Sequence, residues 1–112
     1  MTKLLLAILA LAALLAAQTL QHSVVLTWTD SANPTGTTYS VYRATGLCSG
    51  TPTFSKLATA VSGLTYTDQT VQPGNYCYQV TATANGVESA PSNTALAPVP
   101  SWPPQQLSVT VK

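Results

Sequence analysis

Apolar and polar side chains alternate along most of the chain after residue 22. The clearest stretch follows a turn at Pro73-Gly74, with one face made by Tyr76, Tyr78, Val80 and Ala82 and the other by Cys77, Gln79 and Thr81. A period of two is that of an antiparallel strand with one face in a core and the other in water. The stretch therefore predicts the central strand of a β-sheet.

The same alternation predicts five further strands, which turn residues separate. They are expected at His22 to Thr29, Thr37 to Ala44, Phe54 to Ala58, around Leu64 to Tyr66, and from Val87 to about Ala97. Asn85-Gly86 is a two-residue hairpin signal that joins the central strand to the last one. Six short strands separated by turns predict an all-β sandwich. Its core would be built around the inward side chains, which are Trp28, Tyr39, Val41, Tyr66, Tyr76, Tyr78 and Val80.

The amino terminus is apolar without alternation. Lys3 precedes an unbroken apolar run from Leu4 to Ala17, and small residues lie near its end. These features predict a secretory signal peptide over residues 1–18, and hence a secreted protein. The run is shorter than the roughly 20 residues that cross a bilayer. The alternative is a retained hydrophobic helix, which would be the chain's contact with a membrane and would make the protein surface-anchored or virion-associated.

Composition narrows the function classes. The chain has 112 residues, of which 6% are charged, and a net charge of +1, so we expect one domain and no nucleic-acid partner. The three acidic residues, Asp30, Asp68 and Glu88, each lie beside a turn or a strand end and form no pattern for acid-base catalysis. Two cysteines and a lone His22 do not complete a zinc shell. We expect no enzyme activity, no cofactor and no metal.

Several spaced motifs resemble a fibronectin type III domain. They are Val24-x-Leu26-x-Trp28, Tyr39-x-Val41-Tyr42-Arg43, Tyr66-Thr67-Asp68 with Val71-x-Pro73-Gly74-x-Tyr76, and Glu88 to Asn93. The resemblance implies an immunoglobulin-like antiparallel β-sandwich over residues 19–97. It assigns Trp28, Tyr39, Tyr66 and Tyr76 to the core and to the tyrosine corner of that family. The first strand of the family has no counterpart before residue 22.

The resemblance also bears on Cys48 and Cys77. It places the strand before Cys48 beside the strand that carries Cys77, and a secreted chain folds where disulfides form. We therefore predict that the two cysteines are joined.

The carboxyl terminus carries a spare strand. A proline-rich linker is expected over residues 98–104, followed by a tail over 105–112 in which Leu107, Val109 and Val111 alternate with polar residues. Because the first strand is missing and the linker is stiff, we expect the tail to cover the vacant edge of a neighbouring copy. Head-to-tail donation of this kind gives a filament or a ring. The alternatives are a disordered tail and a tail docked on its own chain.

These observations predict a non-catalytic extracellular protein with a structural or interaction role. Its partner would be a protein, either a further copy or a component of a larger surface or virion, and the candidate interface is Tyr42, Trp102, Leu107, Val109 and Val111. The alternative is a monomeric module for glycans or cell-surface polymers. That function needs exposed aromatic side chains, for which Tyr42 and Trp102 are the candidates.

Overall fold

The computed structural model describes residues 21–101 and 106–111. The predicted signal segment 1–18 and Trp102 lie outside these residues. Eight strands are present: β1 (Ser23–Trp28), β2 (Thr38–Thr45), β3 (Ser55–Val61), β4 (Thr65–Asp68), β5 (Gly74–Ala84), β6 (Val87–Glu88), β7 (Ala95–Val99) and β8 (Gln106–Val111). Within the described ranges, no helix is long and apolar enough to cross a membrane.

Two sheets pack face to face and confirm the predicted all-β sandwich. One sheet has the order β4-β1-β8, and the other has the order β3-β2-β5, with β6 and β7 both paired to the far side of β5. The described strand pairs are antiparallel, apart from β1 with β8, which are parallel.

The core lies between the sheets and is made by the side chains that alternate inward. It contains Val24, Leu26, Trp28, Tyr39, Val41, Val71, Tyr76, Tyr78, Val80, Ala97, Val99 and Val111. The rings of Trp28 and Tyr39 pack with their centroids 5.4 Å apart. Tyr66, which was also expected in the core, is half-buried and packs against it. Aromatic side chains bury a large apolar area each, so this cluster is the main source of stability.

The last predicted strand is interrupted. Instead of one strand from Val87 to Ala97, the chain forms β6 and β7, separated by residues 89–94. Across this gap Ser89 Oγ accepts a hydrogen bond from the Ala82 N–H and Ser92 Oγ accepts one from the Val80 N–H, both at 2.9 Å. Serine side chains thus satisfy backbone donors of β5 that a regular strand would have paired.

The predicted linker also begins later than residue 98. Pro98 and Val99 belong to β7, in which Val99 is buried and pairs with Gly74. Pro98 has no N–H to donate, and it is tolerated because β7 lies at the edge of its sheet. The connection to β8 is therefore the segment 100–105.

The opposite edge of this sheet is irregular. β3 runs to Val61, beyond the predicted end at Ala58, and two of its residues, Thr59 and Ala60, oppose the single residue Ser40 of β2. Ala60 has a φ of 55°, as the extra residue of a bulge can require. A bulged edge is a poor template for pairing with another chain.

The tail forms a strand, as predicted, but it lies on its own chain. β8 pairs with the whole of β1, from Ser23 with Gln106 to Trp28 with Val111. We expected the linker to be too stiff for this return. The linker is long enough for this return because β7 ends opposite Gly74, at the end of the sandwich where β1 begins. The connection only has to cross between the sheets, and β8 then runs parallel to β1, opposite to the first strand of an antiparallel sandwich.

Candidate interaction sites

The contact between β1 and β8 is the most extensive candidate interface. Val111 is fully buried, Leu107 and Val109 are half-buried, and Ser108 and Thr110 face outward. The hydroxyl oxygens of Thr27 and Thr110 lie 3.4 Å apart on the outer face. The three predicted apolar residues of the tail therefore cover the core at the edge of β1. Full burial of a valine side chain stabilises by about 1.5–3 kcal/mol, so Val111 anchors the strand.

Tyr42 lies on the outer face of β2, as expected, but its polar atoms are engaged. Its hydroxyl donates a hydrogen bond to the Glu88 carboxylate, which also accepts one from Thr81 Oγ1 at 2.6 Å. Lys56 Nζ lies 5.6 Å from the centre of the Tyr42 ring. Half-buried in these contacts, Tyr42 is a cross-strand packing partner.

The cysteines are joined. Cys48, in the loop after β2, forms a disulfide with Cys77 of β5, and their Cα atoms are 5.2 Å apart. Cys77 is fully buried although it lies on the outward-facing side of its strand. The disulfide is consistent with an extracellular location.

A buried polar cluster connects the two sheets, and the sequence did not reveal it. In the sequence, Asp68 lies beside a turn and Arg43 follows Tyr42, and nothing indicates a contact between the two. In the structure, Arg43 Nη1 lies 2.9 Å from Asp68 Oδ2, and the same carboxylate oxygen accepts a hydrogen bond from Tyr78 Oη at 2.7 Å. Asp68 Oδ1 accepts from the N–H and the hydroxyl of Thr70, so it does cap the turn as well.

The pKa of Asp68 reflects this environment. Burial alone would raise it, but hydrogen bonds from Thr70, Tyr78 and Arg43 outweigh burial and hold the pKa below its usual value. Burial and the neighbouring carboxylate raise the pKa of Tyr78. The cluster therefore contains a carboxylate anion and a neutral phenol at neutral pH.

Tyr76 shows the geometry expected of a tyrosine corner. Its ring is buried, and its hydroxyl oxygen accepts a hydrogen bond of 2.9 Å from the backbone N–H of Gln72, four residues upstream. The Arg43 guanidinium lies 5.2 Å from the centre of the ring. The tyrosine thus fixes the turn that precedes β5 and supports the arginine of the buried cluster.

A cavity of about 180 Å³ opens near the end of β1, and no sequence pattern pointed to it. Its walls include Trp28, Tyr39 and Val111, and Asp30 and Ala90 also line it. The indole N–H of Trp28 is buried without an acceptor among the described residues. Cavities with apolar walls and a few polar groups are the usual places for ligand recognition.

The strand order identifies the type of sandwich. One sheet contains β1 and β4. The other contains β2, β3, β5 and the divided last strand, and the tyrosine corner precedes β5. The chain has a fibronectin type III-like fold. This confirms the resemblance that the motifs predicted.

Comparison with solved structures finds similar chains, and one of them is described here. The crystal structure of an Fn3-like protein from Clostridium thermocellum is 24% identical in sequence, with a TM-score of 0.49. The match covers 80% of this chain and 94% of that chain. No family model matches the sequence, and the search of curated proteins found no match.

Proposed function

We propose that the protein is a non-catalytic extracellular module that assembles with further copies by exchanging β8. The observation that carries this proposal is the pairing of β8 along the whole of β1, through an apolar row that ends in the buried Val111. The same six residue pairs can form when β8 comes from a second copy, because the contact does not depend on which chain supplies the strand. Exchange of an identical element is a low-cost route to oligomers.

The connection 100–105 supports exchange for a second reason. It is short and carries prolines at positions 100, 103 and 104. Short, stiff connections restrict the return of a strand to its own chain and favour its release to a neighbour. The disulfide fits an extracellular setting. A surface or virion component with a vacant strand edge could receive β8 in the same way.

The length of the connection provides the test. Removing Pro103 and Pro104 should hinder pairing within one chain and shift the mature protein, residues 19–112, from monomer to oligomer. Inserting six glycine and serine residues after Pro104 should shift it toward monomer. Light scattering after size-exclusion chromatography, over a hundredfold range of concentration, measures both changes.

A matched pair of charged variants tests the role of the strand itself. Val111→Asp places a carboxylate in the core and should release β8, which abolishes oligomers of the shortened variant. Ser108→Asp adds the same charge on the exposed side of β8 and should leave the oligomers unchanged. Monomers at every concentration and every connection length would show that β8 only completes its own domain.

A further inference from the structure

Among residues 21–101 and 106–111, no lysine or arginine pairs with the carboxylate of Asp30 at the cavity near the end of β1. The Asp30 carboxylate lies at this cavity together with the rings of Trp28 and Tyr39. It accepts hydrogen bonds from the N–H groups of Ala32 and Asn33 at 3.1 Å, and from Asn33 Nδ2 and Tyr39 Oη at 2.7 and 2.8 Å. All of these donors are neutral. They fix the position of the carboxylate but do not neutralise its charge.

Asp30 differs in this respect from the other two acidic residues. Asp68 forms an ion pair with Arg43, and Glu88 lies within the electrostatic influence of Lys56. Arg43 and Lys56 are the two lysine or arginine residues in the described part of the chain. Asp30 has no cationic partner there. A fixed carboxylate beside apolar and aromatic walls attracts a cation that carries its own apolar stem.

The size of the cavity limits what can enter. At about 180 Å³ it is smaller than the 300–1,000 Å³ typical of sites that enclose a whole ligand. One long side chain fits this space better than a complete small molecule does. Its mouth is lined by the exposed residues Ala90 and Pro91, so a side chain can enter from a surface that another protein can reach.

We propose that this cavity binds a lysine side chain of a partner protein. The methylene stem lies against the exposed edges of Trp28 and Tyr39, and the ammonium group pairs with the Asp30 carboxylate. This contact goes beyond strand exchange and does not rest on it, because a single chain already forms the complete cavity.

The test titrates the mature protein with a minimal probe, Nα-acetyl-lysine-N-methylamide. Binding is measured by the NMR chemical shifts of the backbone amides. We expect saturable shifts at Thr81, Ala82 and Ala90, with a dissociation constant on the order of millimolar for so small a group. The matching norleucine derivative has a similar stem without the charge, and it should bind at least about tenfold more weakly. Raising the salt concentration should weaken binding of the lysine probe.

Three variants locate the contact. Asp30→Asn should weaken binding at least about tenfold, whereas Glu88→Gln, which removes a charge outside the cavity, should leave it unchanged. Ala90→Leu narrows the mouth with Asp30 intact and should also abolish binding, which covers the case that Asp30→Asn disturbs the loop. Absence of saturable shifts, equal binding of the norleucine derivative, or unchanged binding by Asp30→Asn and Ala90→Leu would each overturn the proposal.

Discussion

Replacing Asp68 with asparagine should destabilise the protein more than any other change of one carboxylate to its amide. The variant leaves the Arg43 guanidinium without its counter-ion and gives Tyr78 Oη a weaker acceptor. Removing one partner of a buried ion pair typically costs about 3–5 kcal/mol. The Arg43 side chain is 25% exposed, so water compensates part of the loss. We expect Asp68→Asn to lower the unfolding free energy by about 2–4 kcal/mol at pH 7.

The pH dependence of stability gives a second measurement on the same residue. The pKa of Asp68 is lower in the folded protein than its usual value of 3.8. Its charge therefore stabilises the fold fully above the unfolded pKa, near 3.9, and this contribution is lost as the pH falls through the folded pKa. The difference in stability between wild type and Asp68→Asn should be largest at neutral pH and should shrink below about pH 4.

Urea denaturation followed by fluorescence, at a series of pH values, measures both effects. Glu88→Gln is the matched control, because Glu88 accepts hydrogen bonds at an exposed site, and exposed pairs contribute about 0–1 kcal/mol. If Asp68→Asn shifted the unfolding free energy no more than this control does, the buried cluster would not hold the sheets together. A stability difference that stayed constant from pH 7 to pH 2 would refute the assignment of the lowered pKa to Asp68.

Three other predictions follow from the same contacts. Tyr76→Phe should cost about 1–2 kcal/mol, because the Gln72 N–H loses its acceptor, and an unchanged denaturation midpoint would show that the corner contributes nothing. Reduction of the Cys48–Cys77 disulfide, which spans 29 residues, should cost about 3–4 kcal/mol, and intact-mass analysis without reductant should find no free thiol. Hydrogen bonds from Asn33 and Tyr39 lower the pKa of Asp30 from 3.8 to about 2, so its contribution to stability is lost progressively as the pH falls between these two values. Asp30→Asn should flatten the acid limb of the stability curve there, and an unchanged limb in a pH titration would contradict this.

Alternation predicted most of the sandwich because it reports directly which face of a strand is buried. It located β1 and β5 and assigned Trp28, Tyr78 and Val80 to the core. It could not locate the break between β6 and β7. There, Ser89 and Ser92 accept hydrogen bonds from backbone N–H groups of β5 through their side chains, and the alternation of apolar and polar residues does not indicate such contacts.

The sequence did not predict the buried cluster or the cavity, and the reason is different. Arg43 and Asp68 are 25 residues apart and lie in different sheets, so their contact depends on how the sheets are stacked. Strand periodicity carries no information about that stacking. An arginine next to an aromatic strand residue looks solvated until the opposite sheet supplies a carboxylate. The cavity at Asp30 depends in the same way on β1, β5 and β8 meeting at one end.

The direction of β8 shows how a short connection can decide a topology. A strand antiparallel to β1 would have to begin beside Trp28, at the far end of the sandwich from Val99. Segment 100–105 would then have to cross between the sheets and also span the length of β1, about 20 Å for six residues at 3.3 Å each. The seven Cα–Cα steps from Val99 to Gln106 reach at most about 25 Å, so an antiparallel start would need a nearly fully extended connection. The parallel start beside Ser23 needs only the crossing between sheets, about 10 Å.

The apolar row on β8 can cover β1 in either direction, because Leu107, Val109 and Val111 keep their alternation when the strand is reversed. The short connection therefore favours the parallel form within one chain, and for this reason changing its length should control whether β8 stays on its own chain or passes to another.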